Sequence, residues 1–174
     1  MNIDVISVIL CNLDINEYEE VGNGLPPSEQ MQIAQYWKIH TTYEVIENEY
    51  GKFWRRNGKL HRDGDLPAVV CGNKYKAWYK NGKLHRDGDL PAEYEDMDLF
   101  WRKNGKYHRD GDLPAMVIEN GTKEWWKNGK KHRDGDLPAV VWANGDKEWW
   151  KNGKLHRDGN LPAVVIKIGN KYYE

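Results

Sequence analysis

The residues of this sequence with the clearest chemical potential are a histidine, an arginine and an aspartate that occur together five times. The tripeptides begin at His61, His85, His108, His132 and His156. Imidazole can act as a general base, guanidinium binds carboxylates and phosphates, and a carboxylate accepts protons or binds cations. Histidine and aspartate are also metal ligands. Such a set could support acid–base catalysis, phosphoryl transfer or metal binding.

The surrounding sequence argues against each of these activities. Histidine-arginine-aspartate opens the catalytic loop of protein kinases, but the glycine-rich loop, strand lysine and Asp-Phe-Gly motif of those enzymes are missing here. Each copy supplies one histidine and a turn-forming aspartate, fewer ligands than a tetrahedral metal site requires. We expect no enzyme activity, no metal and no cofactor. The expected roles are structural: histidine packs on tryptophan, arginine covers the next copy, and aspartate caps a turn.

The tripeptide belongs to a repeat that fills residues 43–174. Asn-Gly pairs recur at intervals of 24, 23, 24 and 24 residues, at Asn57-Gly58, Asn81-Gly82, Asn104-Gly105, Asn128-Gly129 and Asn152-Gly153. A fixed period of this length indicates tandem copies of one supersecondary unit, each burying its apolar face against its neighbours. The sequence therefore predicts five tandem repeats of 23 or 24 residues and a partial repeat at the C-terminus.

Each copy has the pattern of a β-hairpin. Asn-Gly between alternating apolar and polar residues favours a two-residue type I′ turn. Such a turn pairs Trp54 with His61, and the same register pairs Trp78 with His85, Trp101 with His108, Trp125 with His132, and Trp149 with His156. Two-residue turns are also predicted upstream, at Asn120-Gly121 and Asn144-Gly145. They would pair Trp125 with Met116 and Trp149 with Val140. The predicted fold is an all-β tandem hairpin array, an elongated antiparallel sheet.

The two faces of this sheet differ in composition. The paired tryptophans, called anchors below, form the predicted core with their histidines. The residue after each anchor lies on the opposite face, because side chains alternate along a strand. Four of these residues form a candidate binding face, since a half-exposed aromatic surface is typical of binding sites. They are Tyr79, Arg102, Trp126 and Trp150.

Residues 1–42 form a separate region with helical patterns. Apolar residues from Ile6 to Leu13 form one stripe, and a second short helix is predicted from Ser28 to Trp37. One interpretation is a helical cap that covers the open end of the array. The alternative is a degenerate F-box, because the segment from Asp4 to Leu13 resembles the first helix of that family. That resemblance would imply an F-box-like ubiquitin-ligase adaptor.

Charge and cysteine content restrict the partner classes and the compartment. The chain has 26 basic and 27 acidic residues, so no overall field attracts nucleic acid or an anionic membrane. Nucleic acid is not expected as a partner, and membrane binding is not favoured. Two cysteines without metal-type spacing and a start without a basic signal region favour an intracellular protein that is not secreted.

One position in the last copy departs from the repeat. The residue after Asp-Gly is Asp65, Asp89, Asp112 and Asp136 in four copies, and Asn160 in the fifth. We hypothesise that each aspartate pairs with a basic residue of the following copy, such as the arginine of its His-Arg-Asp. The alternative is random change at a loop position.

The repeat resembles the MORN type, in its divergent W-x-x-N-G-x-x-H-R-D-G-x-L-P-A form. This form is common in large DNA viruses of amoebae. The resemblance covers about three quarters of the chain and implies a scaffold for protein–protein interactions, a structural or host-interaction protein of such a virus. It would place the protein in the host cytoplasm or the virion. Peripheral lipid binding, known in some MORN proteins, is an alternative, and the array ends leave room for homo-oligomers.

Overall fold

The repeats form the second of two units into which the chain divides, between Tyr43 and Glu44. The computed structural model describes residues 26–28, 31 and 43–173. In this part of the chain the structure is a series of antiparallel hairpins, which confirms the predicted all-β tandem-hairpin class.

The predicted N-terminal helices fall mostly outside the described residues. Pro27, Ser28 and Met31 have helical backbone and are exposed. The first predicted helix, the cap as a whole and the F-box-like segment lie outside the part of the chain that the structure describes.

The described part of the second unit, which contains all the repeats, has 21 short strands. In chain order they are β1 (Glu44–Asn48), β2 (Gly51–Arg56), β3 (Lys59–Leu60), β4 (Val69–Cys71), β5 (Tyr75–Ala77), β6 (Tyr79–Lys80), β7 (Lys83–Leu84), β8 (Glu93–Glu95), β9 (Asp98–Phe100), β10 (Arg102–Lys103), β11 (Lys106–Tyr107), β12 (Met116–Val117), β13 (Lys123–Glu124), β14 (Trp126–Lys127), β15 (Lys130–Lys131), β16 (Val140–Val141), β17 (Lys147–Glu148), β18 (Trp150–Lys151), β19 (Lys154–Leu155), β20 (Val164–Ile168) and β21 (Lys171–Tyr173).

These strands are arranged in one long sheet and a row of small hairpins. The long sheet has the order β1-β2-β4-β5-β8-β9-β12-β13-β16-β17-β20-β21, with β3 paired to β2. Two strands of this order come from each copy in turn, so at about 4.8 Å per strand one copy advances about 9.6 Å. The small hairpins are β6-β7, β10-β11, β14-β15 and β18-β19.

The Asn-Gly turns have the predicted register. Arg56 pairs with Lys59 and Arg55 with Leu60, which leaves a two-residue loop. Asn57 and Gly58 have φ angles of 51° and 70°, the left-handed region that both central residues of a type I′ turn require. The later copies repeat this geometry.

In each later copy, the chain on the two sides of the anchor tryptophan belongs to two different strands. The Trp78 N–H donates to Ala92 O at 2.8 Å, and Trp78 O accepts from His85 N at 3.0 Å. The second bond confirms the predicted backbone pairing of tryptophan with histidine. Beyond the tryptophan the chain pairs within its own copy, Tyr79 with Leu84 and Lys80 with Lys83. The chain therefore leaves the long sheet at the tryptophan and enters the small hairpin.

The predicted register of the upstream turns is wrong by one residue. Met116 pairs with Glu124, not with the anchor, and Val140 pairs with Glu148. Ile118 N donates to Thr122 O, so three residues form the loop, and Gly121 closes it with a φ of 97°. A shift of one residue moves every side chain to the other face. Glu124 and Glu148 are thereby opposed to Met116 and Val140, and the anchors are not.

The core contains most of the anchors, an alanine from four of the Leu-Pro-Ala segments, and further apolar residues of the long sheet: Val69, Ala77, Phe100, Val140 and Val165. Four anchors are buried: Trp78, Trp101, Trp125 and Trp149. Trp54, in the first copy, is only half-buried. The alanines, which have no exposed surface, accept the anchor N–H; they are Ala68, Ala92, Ala115 and Ala139.

Candidate functional site

The histidines join each copy to the next. His85 Nε2 lies 2.9 Å from Asp87 Oδ1, and its Nδ1 accepts the backbone N–H of Asn104 at 3.1 Å. An accepting Nδ1 places the proton of the neutral ring on Nε2. The same two bonds occur at His61, His108 and His132. The side chain of His156, with no described copy after it, is 51% exposed, against 11% for His108.

The arginines combine contacts within a copy and between copies. The Arg133 guanidinium lies 3.8 Å from the ring centre of Trp125 in the same copy. It donates from Nε and a terminal nitrogen to Asp112 of the preceding copy, at 2.6 and 2.7 Å, and to Pro138 O at 3.2 Å. Stacking and a bidentate bond to a carboxylate both suit the planar guanidinium.

The same arrangement confirms the hypothesis about the aspartate after Asp-Gly. Each of the four aspartates binds the arginine of the following copy, in the pairs Asp65–Arg86, Asp89–Arg109, Asp112–Arg133 and Asp136–Arg157. Asn160 occupies the fifth position, and the described residues after it contain no arginine. The aspartate is therefore present at every position that has a following arginine to bind.

We expect Asp112→Asn to lower the free energy of unfolding by about 0.5 kcal/mol, because an exposed ion pair contributes little. High salt should abolish the difference between the variant and the wild type. Asn160→Asp should gain no stability in urea unfolding experiments, because its carboxylate has no arginine to bind. A gain for Asn160→Asp equal to the loss for Asp112→Asn would contradict the pairing.

These bonds lower the pKa of seven aspartates. Hydrogen bonds from the following arginines hold the pKa values of three carboxyls below their usual range: Asp65, Asp89 and Asp112. Hydrogen bonds from histidine, and then from lysine, lower the pKa values of Asp87, Asp110 and Asp134. Lys151 and His156 do the same for Asp158.

The lowered pKa values predict acid sensitivity. A carboxyl whose pKa is lower in the folded chain than in the unfolded chain stabilises the fold at pH values above the unfolded pKa, about 3.9. That contribution is lost as the pH falls through the folded pKa. We expect the urea midpoint to decrease steeply below about pH 4. The decrease should be smaller in Asp112→Asn, and a midpoint that does not change in acid would contradict the prediction.

The predicted binding residues lie in a second, half-buried series. The Arg102 guanidinium lies 3.7 Å from the ring centre of Tyr107 and donates to Glu93 at 2.9 Å. Tyr107 in turn lies 5.2 Å from Trp126. Burial, followed by the charge of Glu93, raises the pKa of Tyr79. Tyr107 therefore contacts both Arg102 and Trp126 and connects them into one series.

Acidic residues from the long sheet hold the indoles of this series. Trp126 Nε1 donates to Glu124 and Trp150 Nε1 donates to Glu148, both at 2.8 Å. Lys131 Nζ lies 5.5 and 5.4 Å from the two ring centres. The aromatic face is therefore connected internally by hydrogen bonds and cation–π contacts. Its role in binding stays a prediction.

Sequence reasoning missed a row of exposed leucines. One leucine of each Asp-Gly-x-Leu-Pro segment is 42–46% exposed, and together Leu66, Leu90, Leu113, Leu137 and Leu161 form what we call the leucine row. The available signal was the presence of the same apolar residue in every copy of a polar loop.

Clefts separate the successive loops that carry this row. The two central clefts, of about 500 and 520 Å³, lie between Leu90 and Leu113 and between Leu113 and Leu137. Two outer clefts are smaller, about 140 and 170 Å³. The central clefts contain Trp101 and Trp125, whose buried Nε1 atoms have no hydrogen-bond partner among the described residues. Trp78 and Trp149, in the outer clefts, donate to backbone carbonyls of the preceding loop.

Comparison with known proteins found no match to this chain. No family model matches the chain, and no curated protein or solved structure compared with it is similar enough to count as a match. Among residues 26–28, 31 and 43–173, no helix is long and apolar enough to span a membrane, and no three His, Cys, Asp or Glu side chains are grouped to hold a metal ion.

Proposed function

We propose that the array is a non-catalytic scaffold that binds an extended segment of a partner protein along its repeats. The leucine row carries this proposal, because five equivalent apolar side chains stay 42–46% exposed at one position of every copy. Exposed apolar surface that repeats in this way favours aggregation in a protein that binds no partner, and is typical of interaction sites. The MORN-type character of the repeat is part of the same proposal.

The other candidate groups support this proposal because the fold already uses them. The imidazoles bind an aspartate and the next copy, and the guanidiniums bind an indole and the preceding copy. Removing any one of these groups would loosen a junction between copies. The leucine side chains form none of these bonds, and the clefts between them have room for a side chain of a partner.

The experiment compares two triple variants of the full chain. Leu90→Ser, Leu113→Ser and Leu137→Ser together remove the centre of the leucine row. The control replaces Met97, Ile166 and Ile168, exposed apolar residues elsewhere, by serine. Both variants are first checked for an unchanged circular dichroism spectrum and melting temperature. Each is then immobilised, and the proteins that it retains from its native source are quantified by mass spectrometry.

We expect a partner that the wild type and the control variant retain and the leucine variant loses. Hydrogen exchange of the complex should then show protection in the loops of the leucine row. If all three proteins retain the same set, or if none is retained, the proposal fails. If Trp126→Ala loses the partner and the leucine variant keeps it, the aromatic series is the binding surface instead.

A further inference from the structure

A second row of side chains follows the tips of the hairpins. One lysine comes directly after each Asn-Gly pair, and together Lys59, Lys83, Lys106, Lys130 and Lys154 form what we call the lysine row. All five are exposed. None has an ion-pair partner among the residues that the structure describes. Another lysine comes directly before four of the Asn-Gly pairs, and these lysines do have ion-pair partners. Lys80, Lys103, Lys127 and Lys151 each bind an aspartate at 2.8–3.3 Å.

The tips hold the lysine row in a fixed line. Gly82 N donates to Leu60 O of the preceding hairpin at 2.8 Å, and equivalent bonds join the later tips. The aliphatic part of each lysine lies against the glycine of the next tip, since a Cβ built on Gly129 would be 3.4 Å from Lys106 Cβ. The lysine positions therefore follow one another at the spacing of the copies.

Each lysine of the row is opposite another cation. Lys80 pairs with Lys83, Lys103 with Lys106, and Lys127 with Lys130. Like charges directly opposite each other on neighbouring strands are destabilising. The aspartate at each tip neutralises only one member of the pair. Every tip thus keeps an unfavourable positive charge, which a bound anion would relieve.

We propose that the lysine row binds an extended acidic segment with a carboxylate at every third residue. This rests on the proposed scaffold function and specifies the chemistry of the partner. A segment in the polyproline II conformation has three residues per turn and advances about 3.1 Å per residue, so every third side chain lies on one face at intervals of about 9.3 Å, close to the copy spacing of about 9.6 Å. The five lysines then span about 38 Å, the length of about 13 residues in this conformation.

The charges beside the row favour this partner over a uniformly anionic surface. The aspartates of His-Arg-Asp bind the basic residue directly before each Asn-Gly pair, which is Arg56 in the first copy and a lysine in the others. Their side chains are 60–80% exposed: Asp63, Asp87, Asp110, Asp134 and Asp158. A membrane or a nucleic acid would bring its negative charge close to these carboxylates as well as to the lysines. A segment with spaced carboxylates places its negative charge at the lysines alone.

The test uses the full chain and two labelled peptides of equal composition. Each has about 13 residues and five glutamates separated by serine and threonine. One carries glutamate at every third position, and the other at every second position from one end. Binding is measured by fluorescence anisotropy. Lys83→Gln, Lys106→Gln and Lys130→Gln together disrupt the row. Lys76→Gln, Lys123→Gln and Lys171→Gln form the control, with the same change in net charge at exposed sites.

We expect the every-third peptide to bind at least about tenfold more tightly than the other, a difference of about 1.4 kcal/mol. Binding should weaken with salt, persist in the control variant and disappear in the row variant. The row variant should melt at the same or a higher temperature, because like charges have been removed. An unchanged or higher melting temperature would show that the row variant lost binding without losing its fold.

Four results would overturn the inference. Equal affinity for both peptides would show attraction without periodicity, and equal loss in both variants would show dependence on net charge alone. Row-dependent binding to anionic vesicles or duplex DNA that exceeds peptide binding would assign the row to another partner class. If neither peptide binds but the leucine variant still loses its partner, this inference fails and the scaffold function stands. If the leucine variant loses nothing either, both fail.

Discussion

Trp125→Ala is expected to lower the free energy of unfolding by about 3–5 kcal/mol, the range of large-to-small changes in a packed core. Trp125 is 8% exposed, and its indole lies under the guanidinium of Arg133. Alanine keeps the backbone bonds to Ala139 and His132, so the loss comes from packing and stacking. Urea unfolding followed by circular dichroism measures the difference.

Trp126→Ala is the matched comparison, because it removes the same side chain one residue further on. Trp126 is half-buried, with Tyr107 and Lys131 beside its ring and Glu124 bound to its nitrogen. Its loss should cost only about 1–2 kcal/mol, the scale of one aromatic contact and part of the buried area. Equal costs for the two variants would mean that the anchor is not the core of the copy.

Arg133→Ala is expected to be the second most damaging of these changes, with a loss of about 1.5–3 kcal/mol. The variant removes the stack on Trp125, for which about 1–2 kcal/mol is typical when the pair is desolvated. It also removes the bidentate bond to Asp112, an exposed pair that contributes about 0.5–1 kcal/mol. Urea unfolding again measures the change.

Two further variants separate these contributions. Arg133→Lys keeps the charge but not the planar fork, so it should recover less than half of the loss. A double-mutant cycle with Asp112→Asn isolates the bond between copies. Lys127→Ala, which removes an exposed pair with Asp134, should cost much less than Arg133→Ala. A cost for Lys127→Ala as large as that for Arg133→Ala would show that charge and not stacking matters.

The local parts of the fold could be predicted from the sequence. Asn57-Gly58 has two residues that readily adopt positive φ, so the turn type and the register of Arg55 with Leu60 follow from the chain itself. The period of the repeat identified the anchors, because each occupies the same position relative to its turn. The single exception at Asn160 led to the hypothesis of ion pairs between copies, and the Asp112–Arg133 pair confirms it.

The upstream turns show where local information was insufficient. Asn120-Gly121 has the same two residues as Asn57-Gly58, yet it closes a three-residue loop. The difference comes from the long sheet, where Glu124 pairs with Met116 on one side and with Val140 on the other. Both neighbours constrain the strand, and the turn accommodates their register. An Asn-Gly pair alone does not contain that information.

By itself, the sequence determined the number of copies, the hairpin of each copy and the tryptophan that anchors it, because these depend on residues a few positions apart. Only the tertiary structure decided that His85 accepts a bond from Asn104 and that the chain leaves the long sheet at Trp78. It also decided which rows stay exposed, the leucines and the lysines. The physical reason is that stacking brings together atoms about one copy apart, and the exposure of a side chain depends on what the neighbouring copy covers.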